Sequence, residues 1–248
     1  MKYIASCSCG KDSLAMVLRL IESNAPLGEV VFYDTGMEYE CIYHNWDKLC
    51  AILDSKGIAH TVLKPDLAFE YKAFEKPVKY RKKDGYHYGY SWCGGSCRWD
   101  TTDKLKALNR HCEQGDCVVY VGIASDEKKR LCREYESYKC FPLLEFGMTE
   151  ADCLQYCRSH GFDWKEPNCN NIDLYTILDR VTCWCCANKN LKELRNMYTY
   201  MPYYWEKLRE FQSKTERPMK KYCKKGKRYG SVFELEEMFK NESDKNNG

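Results

Sequence analysis

No stretch of this chain approaches the ~20 consecutive apolar residues that a membrane-spanning helix needs, which excludes a helical integral membrane protein. An excess of one charge is missing too. Lys and Arg number 39 against 36 Asp and Glu, a net charge of +3, so the molecule as a whole is not a polycation. No internal repeat is found, which sets aside solenoids and propellers. A leader-like segment is also missing, because Met1-Lys2-Tyr3-Ile4 runs straight into an apolar strand pattern. A cytoplasmic location without membrane attachment is therefore expected.

Cysteine, by contrast, is abundant, with 17 in 248 residues. Cytosolic thiols stay reduced and an odd count cannot all pair, so core filling or metal ligation is expected rather than disulfides. The length suits one large domain, or one domain with a helical extension, and 44% hydrophobic residues is ordinary for a globular core.

Strand and helix patterns alternate. Tyr3-Ile4-Ala5, Glu29–Asp34, His60–Leu63 and Cys117–Gly122 read as buried strands, and Ile42, Trp46, Leu49, Cys50 and Leu53 recur at helical spacing over about 39–55. Such alternation predicts a parallel sheet, with ligands beyond the carboxyl ends of its strands. Ser8, Asp34 and Gly122 all fall at those ends. A helix starting at Thr149-Glu150-Ala151-Asp152, a capping box with Asp in the acidic place, is expected to run to about His160. Further helices are expected over 191–200 and 202–212.

The segment Ser8-Cys9-Gly10-Lys11-Asp12-Ser13 joins the first strand to an apolar helix. Such a turn offers backbone N–H groups and the helix dipole to an anion; Lys11 adds charge, and Ser8 and Ser13 add hydroxyls. It is not a Walker loop, since Ala5 and Asp12 stand where that pattern needs Gly and Ser or Thr. Asp12 instead offers a carboxylate for Mg²⁺ beside the phosphates.

This segment resembles the Ser-Gly-Gly-Lys-Asp-Ser loop of the PP-loop ATP pyrophosphatase superfamily. Asp34-Thr35-Gly36 resembles the Asp-Thr-Gly element of its 3′-phosphoadenylylsulfate (PAPS) reductase branch, and Gly122-Ile123-…-Glu127-…-Arg130 resembles that branch's third element, with Ala124 where the family has Arg. The resemblance extends over about 2–208. It implies an α/β fold, a doubly wound parallel sheet of adenine nucleotide α-hydrolase type with a helical C-terminal extension. It also implies that Ser6, Ser8, Cys9, Gly10, Lys11, Asp12, Ser13, Asp34, Thr35, Gly36, Gly122, Ile123, Glu127 and Arg130 line a site for ATP or a PAPS-like nucleotide with Mg²⁺. Lys11, Asp12 and Asp34 would be the catalytic groups.

Two cysteine pairs, Cys93 with Cys97 and Cys183 with Cys186, are spaced as metal ligands on segments ~90 residues apart. The resemblance implies an iron–sulfur cluster there; zinc suits the same ligands, and unligated thiols are the third reading. Cys185 is the weaker candidate, and the remaining cysteines read as core filling or single thiols. Lys76–Trp92 and Lys220–Arg228, the latter with six basic residues in nine positions, mix cations with aromatics as nucleic-acid contacts do.

The organisation expected is a nucleotide-binding domain over 1–145 with an inserted loop 66–100, a helical part over 146–215 completing the cysteine site, and a basic then polar, partly disordered tail over 216–248. The activity expected is ATP-dependent adenylation coupled to sulfur transfer on a nucleic acid, with a sulfur-donor protein as partner. A sulfonucleotide reductase is the alternative, although the Glu-Cys-Gly-Leu-His stretch of true PAPS reductases is missing around Cys223. A nucleotide-binding module with a structural metal is the third. A homo-oligomer is compatible with the sequence, which does not fix the state.

Overall fold

The computed structural model describes residues 1–92, 97, 101–112, 116–220, 222–224 and 227–246, and their side chains except those of 222–224, 227–229 and 243–246. The chain forms two compact units, Met1–Lys64 with Asp103–Lys165, and Pro65–Thr102 with Glu166–Gly248.

The first unit starts with β1 (Lys2–Cys7), α1 (Lys11–Glu22), β2 (Glu29–Tyr33), α2 (Glu40–Ser55) and β3 (Ala59–Leu63). The second unit interrupts it with a π-helical turn, Tyr71–Glu75, and the antiparallel hairpin β4 (Pro77–Lys79) and β5 (Tyr86–Tyr88). The first unit resumes with α3 (Asp103–Cys112), β6 (Cys117–Val121), α4 (Lys128–Leu131), β7 (Lys139–Cys140), α5 (Pro142–Glu145) and α6 (Glu150–Ser159). After β8 (Lys165–Glu166) come β9 (Ile172–Asp173), α7 (Leu174–Ile177), α8 (Leu191–Tyr200), α9 (Pro202–Ser213), the hairpin β10 (Tyr222–Lys224) and β11 (Lys227–Tyr229), and α10 (Val232–Asn246). No helix among the described residues is long and apolar enough to cross a membrane.

Five parallel strands form the sheet of the first unit in the order β3-β2-β1-β6-β7. Every residue of β2 is buried, as a strand covered on both faces requires. Register pairs Cys7 with Phe32 and Ser6 with Val121, so the loops after β1, β2 and β6 leave the same edge. Leu14, Met16, Val17, Leu18 and Leu20 bury α1, which packs against α6 and α5. The capping box of α6 is present: the Thr149 hydroxyl accepts from the Asp152 N–H and the Asp152 carboxylate accepts from the Thr149 N–H.

In the second unit the insert, read from sequence as a long irregular connection, carries the π-helical turn and the β4–β5 hairpin. Phe211 of α9 gathers Phe69, Phe74, Trp92 and Trp184 at centroid distances of 4.9–6.2 Å. The segment beyond residue 216 departs from the expected tail. It forms a hairpin and then α10, because Val232, Leu235 and Phe239 repeat at helical spacing and are all buried, and Glu236 is tied to Arg209 and Lys240.

Candidate functional site

The strand order turns between β1 and β6, the point at which open parallel sheets bind ligands. After β1, residues Ser8 to Gly10 make the turn and α1 starts at Lys11. Gly10 is the N-cap, and no described side chain caps it. Two buried side chains fix the loop: the Trp164 indole donates to the Cys9 carbonyl at 2.9 Å, and the Cys157 thiol to the Lys11 carbonyl at 3.4 Å. The Ser8 N–H donates to Ser13 Oγ at 3.1 Å, closing the loop on itself. Gly122, at the end of β6, lies against this backbone. A Cβ there would sit 2.8 Å from Ser13 Cα and 3.0 Å from the Asp12 carbonyl carbon, so only glycine allows the approach.

Lys11 is buried, and its ammonium donates to Glu150 Oε2 at 2.9 Å and to Asp12 Oδ1 at 3.2 Å. Burial opposes its charge, yet Asp12 and Glu150 outweigh burial and hold its pKa above the ordinary value. Asp12, Glu127 and Glu150 each offer an oxygen within 4.8 Å of the others. Burial first, then the charges of Glu150 and Glu127, raise Asp12 to about 6 although Lys11 pulls the other way. Arg130 donates to both oxygens of Glu127 at 2.8 and 3.0 Å, and the Ala124 N–H donates to it at 3.3 Å. Three carboxylates and the cations Lys11 and Arg130 therefore meet at the amino terminus of α1. This is a donor set for a hard divalent cation, the chemistry that Mg²⁺ requires.

Of the residues singled out by sequence, Lys11, Asp12, Ser8, Ser13, Gly122, Glu127 and Arg130 come together in this arrangement. Asp34 has other contacts. It accepts from the Gly36 N–H and from the Tyr43 hydroxyl, both at 2.8 Å, with Lys64 at 3.9 Å. Thr35 donates to Glu38 at 2.7 Å, and Gly36 has φ 76°, the left-handed conformation this turn needs. The side chains of Ser6, Cys9 and Ile123 are buried; burial pushes the Cys9 thiol well up, and its residue sits at φ 55°. Glu150 was not legible as a site residue. Its only sequence signal was its place in the first turn of a capped helix, which acidic residues favour anyway.

A family model described as the phosphoadenosine phosphosulfate reductase domain matches residues 2–166. The chain belongs to this family. Its members form part of the PP-loop adenine nucleotide α-hydrolase-like superfamily and bind adenine nucleotides, in keeping with the loop, the strand order and the acidic group above. No curated protein matches the chain significantly.

The second unit of this PAPS reductase family member contains a cavity of about 260 Å³ whose wall includes Cys97, Cys183, Cys185, Cys186, Trp92 and Lys189. Cys93 lies outside the described residues. No disulfide joins any two of the fifteen cysteines whose side chains are described. Among the described residues no three thiol sulfurs lie within 4.8 Å of one another. The Trp92 indole nitrogen is buried without a hydrogen-bond partner among the described residues. Lys220, expected among the nucleic-acid contacts, is half-buried and donates to the Ala187 carbonyl in this wall at 2.7 Å. Burial lowers its pKa, and the nearby Cys186 and Glu193 oppose that.

Proposed function

We propose that this protein is an ATP-dependent adenylating enzyme acting in sulfur transfer, with a nucleic acid as acceptor. The observation that carries the reading is the meeting of Lys11, Asp12, Glu127 and Glu150 at the open terminus of α1. Backbone N–H groups of the loop with Ser8 and Ser13 would hold the phosphates, and Lys11 would neutralise charge that develops on them during displacement. Asp12, Glu127 and Glu150 would hold Mg²⁺, which when bound supplies further charge neutralisation at the phosphate oxygens. Asp34, fixed by Tyr43 and the Gly36 N–H, would accept from a ribose hydroxyl. ATP would be cleaved between its α and β phosphates, giving an adenylylated acceptor and pyrophosphate.

The thiols of the second unit would hold an iron–sulfur cluster, for which zinc is the alternative on the same ligands. Cys97, Cys183 and Cys186, with Cys93, would hold it, and the buried Trp92 N–H is a donor that a cluster sulfur would satisfy.

Incubation with α-labelled ATP and Mg²⁺ tests the adenylation reading. Labelled AMP, or its acceptor adduct, together with pyrophosphate is the expected result. Thioredoxin-dependent release of sulfite from PAPS without ATP turnover would overturn it in favour of the reductase. An anaerobic absorption spectrum with metal analysis tests the cluster; Cys97→Ser and Cys186→Ser should both lower bound iron.

A further inference from the structure

The β4–β5 hairpin presents two different faces. Register pairs Pro77 with Tyr88, Val78 with His87 and Lys79 with Tyr86. Val78 and His87 share the half-buried face, where the Tyr80 ring packs 5.3 Å from the His87 ring. The opposite face is Pro77, Lys79, Tyr86 and Tyr88, all exposed, with Tyr86 at 62% and Tyr88 at 72%. Arg81, Lys82 and Lys83 follow in the connecting turn, also exposed, against the single acid Asp84. Among the described residues no ion pair engages Lys79, Arg81, Lys82 or Lys83; Lys83 lies over the Tyr80 ring at 4.2 Å.

Tyrosines this exposed gain little from burial in the folded protein, and neighbouring cations that no described acid engages repel one another. Both are satisfied by one kind of ligand, a polyanion with aromatic faces. Tyr86 and Tyr88 are two residues apart, about 7 Å along the strand, far enough for each ring to take its own base. In a duplex the bases are stacked on one another and unavailable, so the rings select an unpaired strand. We propose that the outward face of this hairpin binds single-stranded nucleic acid, with Tyr86 and Tyr88 stacking on bases and Lys79, Arg81, Lys82 and Lys83 neutralising phosphates. This deepens the acceptor reading above and rests on it for its purpose, whereas binding itself requires no turnover.

The test is fluorescence anisotropy of the full-length protein with a labelled oligothymidylate of about 20 nucleotides, long enough to cover several binding positions. Wild type should bind with an affinity that falls steeply with salt. Tyr86→Ala with Tyr88→Ala should weaken binding tenfold or more at every salt concentration, leaving the salt slope as it was. Arg81→Gln, Lys82→Gln and Lys83→Gln together should flatten the slope of log affinity against log salt by about 2. Mg·ATP affinity and melting temperature, measured on the same proteins, should not move. The hairpin and the adenylation reading can thus fail separately. Absence of binding at low salt, wild-type binding by either variant, equal affinity for a duplex of the same length, or binding to anionic vesicles instead would overturn the proposal.

Discussion

The sheet of the first unit has a carboxylate at each of its ends, Glu29 buried and Asp12 half-buried, and the two are treated in opposite ways. At the amino-terminal edge Glu29 accepts from Lys2 at 2.6 Å, Thr61 at 2.5 Å and His111 at 3.0 Å. Burial would raise its pKa, but these three donors outweigh burial and bring it to about 2. At the carboxyl edge Asp12 has Lys11 as its neighbour, yet shares it with Glu150 and feels Glu127, and it stands at about 6. Glu29 is a charge with its partners supplied by the fold. Asp12 belongs to a group of three acids whose mutual repulsion raises its pKa, unlike the structural ion pair at Glu29.

The comparison breaks most visibly if Glu29 loses its charge and its shape. Glu29→Ala strands Lys2, Thr61 and His111 and should cost about 2–3 kcal/mol, roughly 5–10 °C in melting temperature, with Mg·ATP affinity unchanged by calorimetry. Lys11→Ala acts on the other edge. It removes a charge-assisted contact worth about 1.5–3 kcal/mol, so nucleotide affinity should fall tenfold or more. Gly122→Ala sharpens the picture, because the methyl meets the loop backbone at 2.8 Å. It should cost about 1–3 kcal/mol of stability and weaken nucleotide binding together, visible as paired losses in melting and calorimetry. The smallest effect is on acid stability. Glu29 sits below its ordinary value of 4.5, so its contribution is present above about pH 4.5 and lost as pH falls toward 2. In Glu29→Gln that part of the acid-induced decline should be missing from melting temperatures measured across this range.

Features carried by neighbouring residues were legible in the sequence. The strand–loop–helix around Ser8–Ser13 needs only local pattern, and so do the Asp-Thr-Gly turn and the capping box at Thr149. Pairings that no motif announces were not. Glu150 meets Lys11 across 139 positions, and Glu29, read only as part of a buried strand, gathers Lys2, Thr61 and His111. Strand β7, two residues long, carries no periodicity to detect. The hairpin in the insert escaped notice because its strands are three residues each and rich in Lys and Tyr, although Asp84-Gly85, with Gly85 at φ 103°, marks its turn. In α10 the apolar stripe of Val232, Leu235 and Phe239 was outweighed in composition by the polar residues after Asn241.

One measurement addresses the central claim most directly, which is that the carboxyl edge holds a site for a nucleotide with its cation while the amino edge holds only structure. Melting temperature without ligand and Mg·ATP affinity at neutral pH are compared for Asp12→Asn and Glu29→Gln, the same acid-to-amide change at the two edges. Opposite signs are expected: Asp12→Asn melts higher than wild type and binds Mg·ATP at least tenfold more weakly, whereas Glu29→Gln melts lower and binds normally. Lower melting in both proteins, or wild-type affinity in Asp12→Asn, would contradict it.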